Sequence, residues 1–244
     1  PDIGIGVYNF DAGLIFERAM AGGLTQTLEP RAYYLFSEYE DQSLLPLFDT
    51  SELNFSFRQL FREDRFSGGD RIGDADQASL AITRRILDAK GKERARASLG
   101  QIRYFDDRRV DLSNPIQSWI PRYSPLNQKS ALAGELALSF GENWRPNSDV
   151  QWNEETEELN EGSFQLRYHR DNDHLFNAAY RYRNLVDSPN FILPAGIDPR
   201  IQQTDLSAAW PINQAWKILA RWNYDHSNSR NLETFAGVEY SNCC

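Results

Sequence analysis

Phe164-Gln165-Leu166-Arg167-Tyr168-His169 sets an apolar side chain at every second position and a polar one between. Such alternation marks a β-strand with one apolar and one polar face. The pattern spreads along the chain. Phe176, Ala178, Tyr180 and Tyr182 alternate with Asn177, Ala179, Arg181 and Arg183. Trp216, Ile218, Ala220, Trp222 and Tyr224 alternate with Lys217, Leu219, Arg221 and Asn223. Leu132, Gly134, Leu136, Leu138 and Phe140 repeat it, as do Val150 and Trp152. Eleven strands are expected, over 13–20, 24–39, 77–88, 94–105, 130–142, 148–157, 163–170, 174–185, 201–211, 216–226 and 231–241. No segment of comparable length has helical spacing. Gln59-Leu60-Phe61-Arg62 fits one turn of helix inside a loop.

Composition narrows the class. The chain has 244 residues, 35 acidic against 26 basic side chains, and a net charge of −9. That charge argues against nucleic acid, whose phosphates need clustered Lys and Arg. The mean hydropathy of −0.61 argues against a helical bundle in a membrane. No run approaches the roughly 18–20 apolar residues that a spanning helix needs. Nothing at Pro1 has the make-up of a signal peptide, so for an exported protein the start shown would not be the start made.

The polar faces decide the architecture. A soluble sandwich turns its apolar faces inward and seldom carries so many Arg, Asn and Gln beside large outward aromatics. A membrane barrel inverts this, with apolar residues toward lipid and polar ones toward a wet lumen. Strands of about 10 residues with aromatics near their ends fit the same reading. Closing the sheet satisfies the backbone groups that lipid cannot. The expected fold is therefore all-β, an antiparallel transmembrane β-barrel.

The connections support it. Short ones fall at 21–23, 89–93, 143–147, 171–173 and 212–215. The other set falls at 40–76, 106–129, 159–162, 186–200 and 227–230, and the two sets alternate without a break. Outer-membrane barrels have short periplasmic turns and longer surface loops. The segment after the last strand then lies on the periplasmic side, where disulfides form. It carries Cys243 and Cys244, the two cysteines of the chain. Adjacent cysteines bridge each other only in a strained ring, so two separate partners are the easier reading, against two incidental thiols. The odd strand count and the orphan cysteines suggest a fragment of a larger barrel.

An ordered series of segments resembles a known family. Thr27-Leu28-Glu29-Pro30-Arg31 leads into Tyr33-Tyr34-Leu35, then Asp41-Gln42-Ser43 and Pro46-Leu47-Phe48-Asp49. Leu60-Phe61-Arg62, Arg65-Phe66-Ser67-Gly68-Gly69-Asp70-Arg71-Ile72 and Ala75-Asp76-Gln77 follow. Gly100-Gln101-Ile102-Arg103-Tyr104-Phe105 comes next, and Gly237-Val238-Glu239-Tyr240-Ser241-Asn242-Cys243-Cys244 ends the series. It is similar to the barrel domain of the lipopolysaccharide-assembly outer-membrane proteins of Gram-negative bacteria, the LptD (OstA) family. The resemblance implies that 1–244 is one partial barrel domain, lacking the N-terminal jellyroll, the early strands and the final strands. It implies a non-enzymatic role, without a cofactor, in assembling lipopolysaccharide into the outer leaflet. The lipoprotein LptE would plug the lumen, LptA would bridge the periplasm through the absent jellyroll, and outer-membrane lipid would surround the wall. Cys243 and Cys244 would form disulfides with cysteines of the N-terminal region.

Other residues carry competing readings. Arg62, Arg65, Asp70 and Arg71 lie in a long mixed-charge loop, and long structured loops often carry function. A contact to the plug is one reading, phosphate recognition by the arginines a second. Internal Arg–Asp pairing is the blander one, because opposite charges are interleaved. Asp70, Asp74 and Asp76 miss the calcium-loop spacing. Glu29 and Arg31 share a strand face and read as structural ion-pairing groups, a contact to the plug being the lesser reading, with Pro30 marking a strand start, edge or bulge. His169 and His174 flank Asp171-Asn172-Asp173, where they would face each other across a hairpin, and read as part of a wet turn rather than a metal site. Three alternatives stay open: a porin-like or substrate-specific channel, a barrel enzyme such as a lipase or protease, and a soluble sandwich that stays dispersed without detergent.

Overall fold

The computed structural model describes residues 3–112, 128–184 and 198–241. Twelve strands lie among them: β1 (Val7–Gly13), β2 (Phe16–Ala19), β3 (Thr25–Ser37), β4 (Ala75–Leu87), β5 (Glu93–Tyr104), β6 (Leu132–Leu138), β7 (Trp144–Asn153), β8 (Glu158–His169), β9 (Leu175–Asn184), β10 (Arg200–Pro211), β11 (Trp216–Asp225) and β12 (Arg230–Tyr240). They form one sheet in chain order from β1 to β12, with β1 and β2 both paired to β3. Among the described residues β1 and β12 are its two edges, so the sheet does not close. No helix of the described residues is long and apolar enough to cross a membrane.

β1 and β2 are one run along β3, interrupted at Leu14 and Ile15. The cause is Pro30. Gly13 pairs with Arg31, so Leu14 faces Pro30 and donates its N–H to the Pro30 carbonyl at 3.1 Å. Pro30 has no N–H with which to return the bond. The expected strand 13–20 thus begins earlier, at Val7.

Five of the hairpin turns share one device. A side-chain oxygen of Asp or Asn accepts backbone N–H groups two to four residues on. Asp88 takes Lys90 and Lys92, Asn153 takes Glu155 and Thr156, and Asp171 takes Asp173 and His174. Asn213 takes Ala215 and Trp216, and Asp225 takes Ser227 and Asn228. The Asn153 turn corrects an expectation. The acidic run Glu154–Glu157 is itself the turn, closed by Glu157 at φ 55°. Residues 159–162, expected as a loop, belong to β8. β7 starts at Trp144 rather than 148 and shifts register between Gln151 and Trp152.

The two faces separate as the alternation requires. On one face Ile218 pairs with Trp210 and Val238, Trp222 with Leu206, and Trp216 with Tyr240. Trp216 and Trp222 remain 42% and 38% exposed there, although both are large and apolar. Rings gather at both strand ends. Trp144–Tyr168 (4.7 Å between centroids), Tyr168–Trp210 (5.9 Å) and Trp216–Tyr240 (4.8 Å) sit beside the short turns. Tyr180–His226 (6.4 Å) and Trp222–Tyr224 (5.5 Å) sit toward the opposite ends. Trp216 and Tyr224 are separated by about 27 Å along β11, close to the apolar band of about 25 Å on outer-membrane barrels.

The chain resolves into two compact units. One comprises Pro1–Glu17, Thr27–Arg84 and Ser98–Gly134, the other Arg18–Gln26, Arg85–Ala97 and Glu135–Cys244. Every buried apolar side chain among the described residues belongs to the first: Tyr33, Leu35, Leu60, Phe66, Ile102, Val110 and Ala133.

Candidate functional site

The core of the first unit is built by the connection between β3 and β4. That connection lies against the polar face of the sheet. Small side chains make room for it: Ser79, Thr83 and Ser98 are buried, while Leu28, Leu80, Ile82 and Leu99 on the other face are exposed. The 3₁₀ turn Phe57–Phe61 presents Leu60, which is fully buried. Gly100 must be glycine for this seat. A Cβ there would stand 2.6 Å from Leu60 Cδ1 and 2.8 Å from Ala81 Cβ. Phe61 packs edge-on against Tyr33 (6.2 Å) beneath the Arg31 guanidinium (3.8 Å from its centroid). Arg31 is held in turn by Asp11 of β1 at 2.5 Å, and Asn9 donates to Glu63 at 2.8 Å. The expected pairing role of Arg31 is thus met by Asp11. Glu29 accepts from Thr27 Oγ1 at 2.6 Å.

The loop is knitted to itself. Ser67 N–H donates to the Ser51 carbonyl (2.8 Å) and Leu53 N–H to that of Arg65 (2.9 Å). The Gln42 amide imitates a strand, donating to the Ile72 carbonyl (2.8 Å) and accepting Ile72 N–H (3.0 Å). Asp70 Oδ2 accepts the N–H groups of Phe48 (2.7 Å) and Asp49 (3.0 Å). Those two amides hold its carboxyl below the usual carboxylate range. Arg71 is buried and donates to the carbonyls of Asp70 and Leu45, both at 2.8 Å.

Asp74 ties this loop to the next one. Its Oδ1 accepts Arg65 (2.9 Å) and Val110 N–H (3.0 Å), and its Oδ2 accepts Arg109 N–H (2.7 Å). Arg65 also donates to the carbonyls of Asp74 and Val110. The Asp74 side chain is only 5% exposed and that of Arg65 17%, so this pair is shielded from water and salt.

The structure thus joins Arg65, Asp70 and Arg71 in one loop, with Arg65 also bonded to the next loop at Val110. Arg62 is different: its side chain is exposed and has no hydrogen bond or ion pair among the described residues. Cys243 and Cys244 lie outside the described residues. Asp70, Asp74 and Asp76 serve separate partners, Asp76 accepting from the Tyr34 hydroxyl at 2.9 Å. No group among the described residues could hold a metal ion. His169 pairs with Leu175 across the hairpin, so it does not face His174. The His174 ring meets Asp171 (2.8 Å) and Trp210 (4.9 Å) instead.

Among the described residues of the second unit, the polar face carries ion pairs and no apolar side chain is buried. Lys217 lies between Asp173 (3.3 Å) and Glu239 (3.1 Å). Arg221 lies between Asp205 (2.7 Å) and Glu233 (2.9 Å).

A sheet greasy on one face, ion-paired on the other and ringed by aromatics at both strand ends is part of a transmembrane β-barrel of the outer-membrane type. Comparison with known proteins agrees. The family described as "LptD: LPS transport system D" matches residues 2–216. A Pseudomonas aeruginosa protein (strain UCBPP-PA14) named LPS-assembly protein LptD is 44% identical, over 96% of this chain and 27% of its own length. A namesake from Ectopseudomonas mendocina is 37% identical, over 100% of this chain and 29% of its own. The chain belongs to the LptD family. It spans little more than a quarter of the length of these relatives.

Proposed function

We propose that the chain supplies wall and covering loop to the outer-membrane translocon that assembles lipopolysaccharide into the outer leaflet, with no catalytic step. One observation carries this reading. A chain that closely matches proteins named for LPS assembly has a sheet with a wet face and a lipid-compatible face. Sugars and phosphates would follow the wet face while acyl chains slip sideways into lipid. This avoids stripping charged headgroups of water, which costs several kcal/mol or more per isolated charge.

Within this reading the loop's stable shape is what the plug lipoprotein LptE recognises. Arg65, Asp70 and Arg71 hold that shape, and Arg62 is available for direct contact. Cys243 and Cys244 would bond to cysteines of the N-terminal region. That would orient the periplasmic domain receiving lipopolysaccharide from the LptA bridge. The test is depletion of the full-length protein in cells, with rescue by wild type, by a loop 38–74 deletion, or by Cys243→Ser with Cys244→Ser. Surface lipopolysaccharide should fall on depletion and recover only with wild type. Undiminished surface lipopolysaccharide after depletion would overturn the reading.

A further inference from the structure

On the polar face of the second unit, cations are matched by carboxylates of neighbouring strands: Lys217 by Glu239, Arg221 by Asp205 and Glu233, Arg183 by Glu161 (3.8 Å). Arg181 has no ion pair among the described residues, and its ladder partners Ser163 and Gln203 are neutral; Arg145 and Arg167 depart further from this pattern. The β7–β8 ladder places them directly opposite each other. Directly opposed residues share a face, and like charges there destabilise a sheet. Nothing among the described residues neutralises them. Arg167 donates to the neutral Gln165 Oε1 (2.7 Å), and Arg145 makes no side-chain hydrogen bond. The same-face neighbours Asn147, Gln165 and Asn177 are uncharged. The next acid along β7, Asp149, lies about 13 Å up the strand and is bonded to Ser163 Oγ. Both arginines are exposed.

We propose that Arg145 and Arg167 form a phosphate-binding site on the polar face, and that its occupant is a phosphoryl group of the glycolipid in transit. This rests on the transport reading above. Two guanidinium forks match the oxygens of a phosphate. Their two positive charges balance the roughly −1.5 to −2 of a phosphate monoester near neutral pH, whereas a carboxylate leaves one unmatched. Binding relieves the repulsion between the arginines. An open site of this kind holds its ligand briefly, which suits passage.

The test uses the detergent-solubilised full-length protein with its plug. The probes are lipid A bearing its phosphates, the same glycolipid after enzymatic dephosphorylation, and inorganic pyrophosphate. Wild type should bind the phosphorylated glycolipid at least ten-fold more tightly than the dephosphorylated one. Arg145→Gln with Arg167→Gln should erase that preference and leave Tm equal or higher, because a repulsion is removed. Both lysine substitutions together should keep part of the preference. A double Gln variant that retains the full preference overturns the site and leaves the transport reading standing. Wild type binding neither glycolipid overturns both. Equal affinity for pyrophosphate and phosphorylated glycolipid would assign the site to unattached phosphate. Release of the plug with unchanged glycolipid binding would assign it to an acidic side chain. Either result overturns the proposed occupant.

Discussion

The two units are made from one pattern of alternating residues, yet their polar faces are used in opposite ways. In the first, Ser79, Thr83, Ser98 and Gly100 leave a shallow seat, and Leu60 and Phe61 of the long loop fill it. In the second, Lys217, Arg221 and their carboxylates stand up from the sheet, and no apolar side chain is buried among the described residues. Side-chain size on the polar face decides which outcome follows. Short side chains admit a hydrophobic cover, while long charged ones keep the face wet and cross-link neighbouring strands.

The largest test of this contrast is Asp74→Ala in the full-length protein. It leaves Arg65 buried without its partner and strips two amides of their acceptor. Losing one member of a buried pair costs about 3–5 kcal/mol. Hydrogen exchange should rise together in 38–74 and 105–112, while the hairpins of the second unit keep their protection. Simultaneous loss in both units would break the distinction.

Gly100→Val comes next. Its Cβ cannot coexist with Leu60 as seated, so the loop must lift or the strands must shift. Overpacking of this kind costs about 1–3 kcal/mol. Limited proteolysis within 38–74 reads the outcome: faster cleavage is expected, and unchanged cleavage would mean that the seat does not hold the loop.

Much of the wall was legible in the sequence, because a period of two needs no knowledge of distant partners. The alternation around Trp216–Tyr224 places the same residues on the same faces as the ladders do. What escaped were features set by partners elsewhere in the chain. β1 was hidden because Leu14, Ile15 and Phe16 interrupt the alternation, and the interruption itself is imposed by Pro30. Missing β1 also hid Asp11, the partner of Arg31. The Asn153 turn was misplaced because its left-handed residue is Glu157 rather than the glycine or asparagine that usually marks one. The interleaved charges of 62–76 did suggest internal pairing. The choice of Asp74 over Asp70 as partner to Arg65 depends on the second loop, whose Arg109 and Val110 amides complete the Asp74 shell.

A smaller effect is expected from Arg221→Ala, at 43% side-chain exposure. Exposed pairs contribute little and are screened by salt, so Tm should fall slightly and less at high salt. A loss comparable to that of Asp74→Ala would mean that the second unit depends on its ion pairs as the first depends on its core.

The finest probe is the turn joining β8 and β9. Hydrogen bonding by His174, with the N–H groups of His174 and Asp173, lowers the Asp171 carboxyl to about 2. An unfolded Asp titrates near about 3.9. A carboxyl depressed in the folded state stabilises in full above the unfolded value, and that contribution is lost as pH falls through the folded value. Exchange protection of the Asp173 and His174 amides should therefore be flat above about pH 4 and fall toward pH 2 and below. Asp171→Asn keeps a carbonyl oxygen for both amides but cannot titrate, so its protection should be independent of pH over that window. Identical acid sensitivity in the two proteins would show that the turn is not held by this carboxylate.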